Sequence, residues 1–420
     1  MKWKKLKKTL GPGILFASTA IGVSHLVQST RAGANYGFAL LGMIIITNIL
    51  KFPFFEYAVR YANATGESLI EGYKKLGKPV LWIYFLITIA SMFFVTAAVS
   101  IVTAGFMDNL FGLSSLWPSF KLFPVVLVFL VSTGALITGK FSVLDGLIKT
   151  IGILLFVSTI IVFILTLING PIDHINNFTP LNVFDDVGIL FIIALMGWMP
   201  TALDMSCWTS LWVVEKIKST NYHPTLKENL FDFNLGYWVA AFLSICFVTM
   251  GAFLIFGTGN VLPKDSVGFA SSVIDLYTST IGDWSYLIIA IAAFSIMLGT
   301  SIGVFDGYSR VLQHSSEILF LSNDNKHSKR VYIISLIILA IGSFSITAFF
   351  MGEFKNLIDL ATTISFLIAP LVAIANLKLV DKKYIGKAYA PKPLMKFVSY
   401  LGIAFLTGFA LFYVYIKFIK

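Results

Sequence analysis

Charge is scarce in this chain: only 12% of its 420 residues are Asp, Glu, Lys or Arg, about half the share found in soluble domains. So little charge cannot clothe a water-facing surface, which excludes a soluble enzyme or binding module as the bulk of the chain. Cysteine is scarcer still. Cys207 and Cys246 both fall within apolar runs, where they read as small apolar residues and not as a disulfide or a metal pair. There is no His-Glu-x-x-His, no nucleophile elbow with a histidine partner and no P-loop, so nothing points to an enzyme, a cofactor or a nucleotide. Low-complexity tracts, short repeats and any polar stretch long enough for a second domain are missing too.

Hydrocarbon is what the chain has in excess: 57% of it is hydrophobic and its mean hydropathy is +0.85. A membrane-crossing helix needs about 20 apolar residues. Apolar runs between polar breaks predict eleven such spans, near 12–32, 37–61, 80–108, 122–139, 143–169, 187–214, 230–256, 284–312, 331–350, 356–378 and 396–417. The expected class is an all-α integral membrane protein with one membrane domain over 1–420. Lys2 to Lys8 followed by an apolar run resembles a signal peptide, but that run continues to Val27 through Gly11-Pro12-Gly13, so it is taken as the first span.

The net charge of +10 would suggest nucleic acid in a soluble chain. Here the basic residues sit in loops, and the bilayer is the implied partner. With the N-terminus in the cytoplasm, 23 of the 31 Lys and Arg residues fall in cytoplasmic segments and 6 outside. That bias predicts a plasma or inner membrane protein with a cytoplasmic N-terminus and an outside C-terminus. The sequon Asn177-Phe178-Thr179 falls in an outside loop, a three-residue pattern of low specificity.

Spans one and six share an unusual feature. Span one carries Gly22-Val23-Ser24 between Thr19 and His25, and span six carries Gly197-Trp198-Met199-Pro200, where proline removes a backbone donor and disfavours helix at Met199. Paired interruptions five spans apart point to a transporter built from two inverted halves with its substrate at mid-membrane. Ordinary kinks are the plain alternative.

Several segments resemble the Nramp family of proton-coupled divalent-metal transporters, which have the LeuT-type fold. Gly11-Pro12-Gly13 and Arg31-Ala32-Gly33-Ala34 bracket the first break at the family's spacing. Tyr61 to Leu69 is similar to its Thr-Gly-x-x-Leu-Ala stretch, Met199-Pro200 matches its Met-Pro-His, and Gly299 to Gly307 echoes its small-residue run. The resemblance implies five plus five inverted spans, with repeat one about 11–169, repeat two about 187–378 and an extra helix about 396–417. It also implies Met199 as a sulfur ligand and Met196 as a carbonyl ligand.

The departures are as informative. Where the family has Asp-Pro-Gly-Asn, this chain has Gly22-Val23-Ser24-His25; where the family has histidine after Met-Pro, it has Thr201. Aligning span three on Leu110-Phe111-Gly112 puts Ile89, Thr96 and Val99 at the family's proton-carrying acids, and no acid lies between Trp82 and Met107. A divalent ion without a carboxylate would be poorly compensated.

Remaining intramembrane charges are few. Glu56–Arg60, Asp145–Lys149 and Asp306–Arg310 are acid-then-base at four-residue spacing and neutralise themselves on one helix face, with Asp306 the one set apart by its small-residue surroundings as a coupling candidate. His25 and Asp204 lack a local partner. They either meet across the two breaks as coupling groups, with Asp204 supplying the missing negative charge, or bond nearby backbone and hydroxyl groups. Lys51 is expected to snorkel to the cytoplasmic surface. The substrate site is expected to draw on Ala20, Ile21, Gly22, Ser24, His25, Met196, Gly197, Met199, Thr201, Asp204 and Thr362, with Met199 and Asp204 as metal ligands. Two cargoes stay open: a small cation, foremost a metal ion, and a small organic solute such as an amino acid or amine, held by the amide donors of the broken helices.

Overall fold

Glycine and proline punctuate the apolar runs where helices start and stop. The computed structural model describes residues 9, 11–139, 141–176, 178–321 and 328–419, and its regular structure there is entirely helical. Pro12, Pro79, Pro124 and Pro393 sit in first turns, where the missing N–H costs nothing. Gly66, Gly112 and Gly139 close helices at φ of 72°, 63° and 68°, a left-handed conformation that a Cβ would oppose. Side chains cap other starts: Asp185 accepts from Gly188 N at 2.6 Å, and Thr225 with Glu228 forms a capping box.

Seven continuous helices among the described residues are long and apolar enough to cross a membrane: Leu41–Thr65, Lys78–Phe111, Leu226–Leu254, Asp283–Phe320, Ser328–Phe349, Phe354–Leu379 and Pro393–Phe418. Phe123–Thr138, Phe141–Asn169 and the two interrupted elements near the first and sixth positions complete the eleven expected spans. Helix ends overrun the apolar runs, most at Thr220 and Phe320, because polar residues beyond the hydrocarbon still favour helix. One element lies where only a loop was expected: Ser266–Ile281, between spans seven and eight. At 16 residues it is too short to cross. Asp265 caps its start by accepting from Gly268 N at 2.7 Å, and Phe269, Val273, Ile274 and Tyr277 are buried. The Asp145 and Lys149 side chains and Asn177 of the sequon lie outside the described residues.

Burial sorts the spans. Between 61% and 72% of the crossing window is buried in spans two, three, seven, eight and ten, against 28% in span nine and 17% in span eleven. The last two are therefore peripheral and present their apolar side chains to lipid. Span one lies so close to span seven that glycine is required at both ends of the contact. A Cβ on Gly236 would sit 2.1 Å from Gly13 O, and one on Gly33 would sit 2.1 Å from Val248 O. Small residues permit such backbone approach where no hydrophobic force separates helix from lipid. Asp232 of span seven accepts from Gly11 N at 3.2 Å and Gly13 N at 2.7 Å, fixing the start of span one.

Candidate functional site: two facing helix breaks

Helix Pro12–Ala20 stops at Ile21 and Gly22, resumes through a wide turn over Ser24–Ser29, and continues as Thr30–Tyr36. Helix Asp186–Gly197 stops before Pro200, whose peptide bond with Met199 is cis. It restarts through a tight turn over Leu203–Met205 into Ser206–Thr220. Both breaks fall where the sequence places them. Between them lies a cavity of about 20 Å³, lined by Thr19, Ala20, Val23 and Ser24 of span one and by Trp198, Thr201, Ala202 and Met205 of span six. Val95 and Val99 of span three and Thr300 and Val304 of span eight close it. It has room for about one water molecule, and its walls are hydroxyl and apolar groups without a charge. Ser29 Oγ lies 4.0 Å from Met199 Sδ, so the second half of span one touches the second break.

Main-chain groups freed by a break need partners in a bilayer, and here span one's own Ser24 and side chains of other spans supply them. At the first break Ser24 Oγ donates to Ala20 O at 2.8 Å, and Thr300 Oγ1 reaches Ile21 O at 3.3 Å and Ser18 O at 3.2 Å. Gly22 is packed under Thr300, where a Cβ would sit 2.8 Å from the threonine side chain. At the second break the partner is Lys51. Its ammonium is fully buried and donates to Met196 O at 3.2 Å, Gly197 O at 3.0 Å and Thr201 O at 2.8 Å. The expectation that Lys51 snorkels to the surface is thus corrected. Three convergent carbonyls match its three donors, although Met196 O also accepts from Met199 N at 3.4 Å. Consequently the Met196 and Gly197 carbonyls, expected to bind substrate, already hold a cation of the protein's own.

The two unpartnered side chains do not meet. His25 is fully buried, with Nε2 donating to Ala240 O of span seven at 2.8 Å and Nδ1 2.7 Å from Ser24 Oγ. Asp204 faces spans three and eight instead: Oδ2 accepts from Tyr308 at 3.1 Å and Ser91 at 3.4 Å, while Oδ1 is buried with no hydrogen-bond partner. Asp306 accepts from Arg310 Nε at 2.7 Å and Tyr332 at 2.8 Å, and is neutralised there. Glu56 is likewise paired with Arg60. The Thr362 hydroxyl donates to Ile358 O at 2.8 Å within its own helix. Its carbonyl is what matters, because it presses on Gly197, where a Cβ would come within 2.0 Å. Thr201 Oγ1 donates to Met205 Sδ at 2.7 Å, and Met199 is fully buried.

The two sides of the cavity differ. Thr19 also lines a vestibule of about 460 Å³ between spans one, six and eight, with Glu71, Glu215, Asp306 and Glu317 facing Lys218, Arg310 and His314. His314 Nε2 lies 2.6 Å from Glu71 in the short helix Leu69–Leu76, which Ser68 caps. Burial alone would raise the Glu71 carboxyl, but the hydrogen bond and charge of His314, together with Ser68, outweigh it and hold the group down at about 2. Beyond the first break a polar cluster ties three spans together. Arg31 donates to both Asp359 oxygens at 2.7 and 2.9 Å, Gln28 donates to Asp359 at 3.1 Å, and the guanidinium lies 5.0 Å over the Phe191 ring. This cluster joins spans one, six and ten.

Sequence reasoning missed the roles of Lys51, Thr300, Arg31 and Asp359. Lys51 carried a signal: it is the lysine in mid-run with no acid one turn away, and such residues are functional by default. Arg31 and Asp359 carried none, being 328 positions apart.

Comparison with known proteins agrees with this architecture. The family model described as natural resistance-associated macrophage protein-like, Nramp, matches residues 13–415. An uncharacterized protein of Pasteurella multocida is 34% identical over 98% of this chain and 93% of its own length. The divalent metal cation transporter MntH of Staphylococcus saprophyticus is 25% identical over 61% of this chain. That match spans 58% of MntH, less than two thirds. A mutant of the Eremococcus coleocola manganese transporter superposes with a TM-score of 0.71 at 17% identity, over 98% of this chain and 87% of that one, a likeness of fold. Paired breaks, eleven spans and a match across nearly the whole length lead to one conclusion: the chain belongs to the Nramp family of membrane transporters and is not an enzyme.

Proposed function

We propose that the protein is a secondary transporter that moves a small cation, foremost a metal ion, by alternating access. The observation that carries this reading is the pair of breaks meeting at one cavity, with a vestibule on one side and the Arg31–Asp359 pair on the other. Halves about 11–169 and 187–378 would be the inverted repeats that rock against each other. The relatives named as metal transporters support the cargo class, and the bias of basic loops supports a cytoplasmic vestibule.

The ligands we assign are the Met199 sulfur, the Asp204 carboxylate and the Thr201 and Ser24 hydroxyls. Neither Met199 nor Asp204 lines the 20 Å³ cavity in this conformation, so loading requires the second break to turn. Asp204 brings the negative charge that Gly22-Val23-Ser24-His25 lacks, and its free Oδ1 is a ready lone pair. Since Asp306 is neutralised and His25 faces Ala240, we assign neither as a ligand; His25 keeps a positioning role at the first break. A second reading, a small organic solute, is favoured by the uncharged walls of the cavity.

Reconstitution into liposomes tests the choice. Uptake of Mn²⁺ or another metal ion that Asp204→Ala abolishes is the expected result. Metal-independent uptake of an amino acid or amine, with no metal uptake at all, would overturn it in favour of the second reading.

A further inference from the structure

Lys51 is unusual among the buried charges. It has no carboxylate within ion-pair distance among the described residues, and its three hydrogen bonds all go to main-chain oxygens of the second break. A ring of three convergent carbonyls is cation-coordinating chemistry, the same oxygen donors that replace a lost hydration shell in selectivity filters. With no anionic ligand in direct contact, such a cage compensates one positive charge better than two, because a divalent ion gives up far more hydration energy.

We propose that Lys51 is a tethered cation: the carbonyl cage of Met196, Gly197 and Thr201 is a site for a monovalent cation of ammonium or potassium size, and the Lys51 ammonium is its resident occupant. Any cation that loads at the second break must then work with Lys51 in place or displace it. Lys51 thereby decides what the break admits and keeps its convergent carbonyls satisfied when no cargo is bound. This deepens the cation reading above, and it is tested separately from transport.

The test is chemical rescue in purified protein. Lys51→Ala should unfold at a lower temperature than the parent, and methylammonium or potassium chloride should recover at least about half of that loss by mass action. Equal concentrations of choline chloride, too bulky for the cage, should not, the parent should respond to none of these three salts, and MnCl2, which acts at the cargo site, should shift the variant no more than it shifts the parent. If Lys51→Ala does not fold, Lys51→Met keeps most of the stem, frees the position of the ammonium, and should be rescued by potassium and not by choline. The proposal is overturned if the variants match the parent in stability, respond equally to choline, or gain more over the parent from MnCl2 than from potassium or methylammonium. Rescue without metal uptake by the parent would leave the cage standing and remove the metal cargo. Metal uptake without rescue would do the reverse.

Discussion

At the scale of single residues, the site is defined by which polar groups remain unsatisfied. Asp204 buries a carboxylate oxygen with no donor, an arrangement that costs free energy unless something binds or protonates it. Asp204→Asn keeps the shape and removes the charge. Cation uptake should fall about tenfold or more, while the melting temperature moves little, and uptake assays beside thermal scans would check both. Glu71 offers a pH readout. Its carboxyl is held at about 2 against an ordinary 4.5. Its contribution to stability is therefore present above pH 4.5 while His314 keeps its proton, and is lost as pH falls towards 2. Melting temperature should decline more steeply across that window in the parent than in Glu71→Gln. The lone Lys51 and Asp204 were visible in sequence as charges in apolar runs. Their partners were not, because Met196, Tyr308 and Ser91 reach them only through packing.

At the scale of elements, the helices follow from composition and their contacts follow from glycine. Gly236 presses on Gly13 with no room for a Cβ, and neither backbone can step aside without parting spans one and seven. Gly236→Ala should destabilise the fold by about 3 kcal/mol or more. Gly408, in the peripheral last span, has nothing within 4 Å of a Cβ. Gly408→Ala should be neutral or stabilising by up to about 1 kcal/mol. Denaturation of the two variants side by side checks the contrast. The eleven spans were legible because each is a long apolar run, and both breaks were legible because Gly22 and Pro200 announce them. Helix Ser266–Ile281 was not: 16 residues of mixed polarity look like loop until Phe269 and Tyr277 find a surface to cover.

For the whole molecule, the question is which way the site opens. Arg31 is nearly buried and bonds an Asp359 that is 34% exposed. Removing the arginine unties spans one, six and ten at once, and a partly buried, bidentate pair contributes more than an exposed one. Arg31→Ala should raise the labelling rate of Thr363→Cys, buried in span ten, by a membrane-impermeant thiol reagent added from the side opposite the vestibule. Unchanged labelling would mean that the ion pair is not the closure. Cys207 and Cys246 are buried and provide the background to subtract.

Sequence alone determined that this chain lives in lipid, how many times it crosses, and where two crossings lose their regular hydrogen bonds. Those properties are local: they depend on transfer of apolar runs out of water and on the backbone limits of glycine and proline. Only the tertiary structure decided who satisfies the broken helices. Thr300 answers the first and Lys51 the second, from residues far away in the chain, because hydrogen bonds between distant spans are set by packing geometry, which no local pattern encodes.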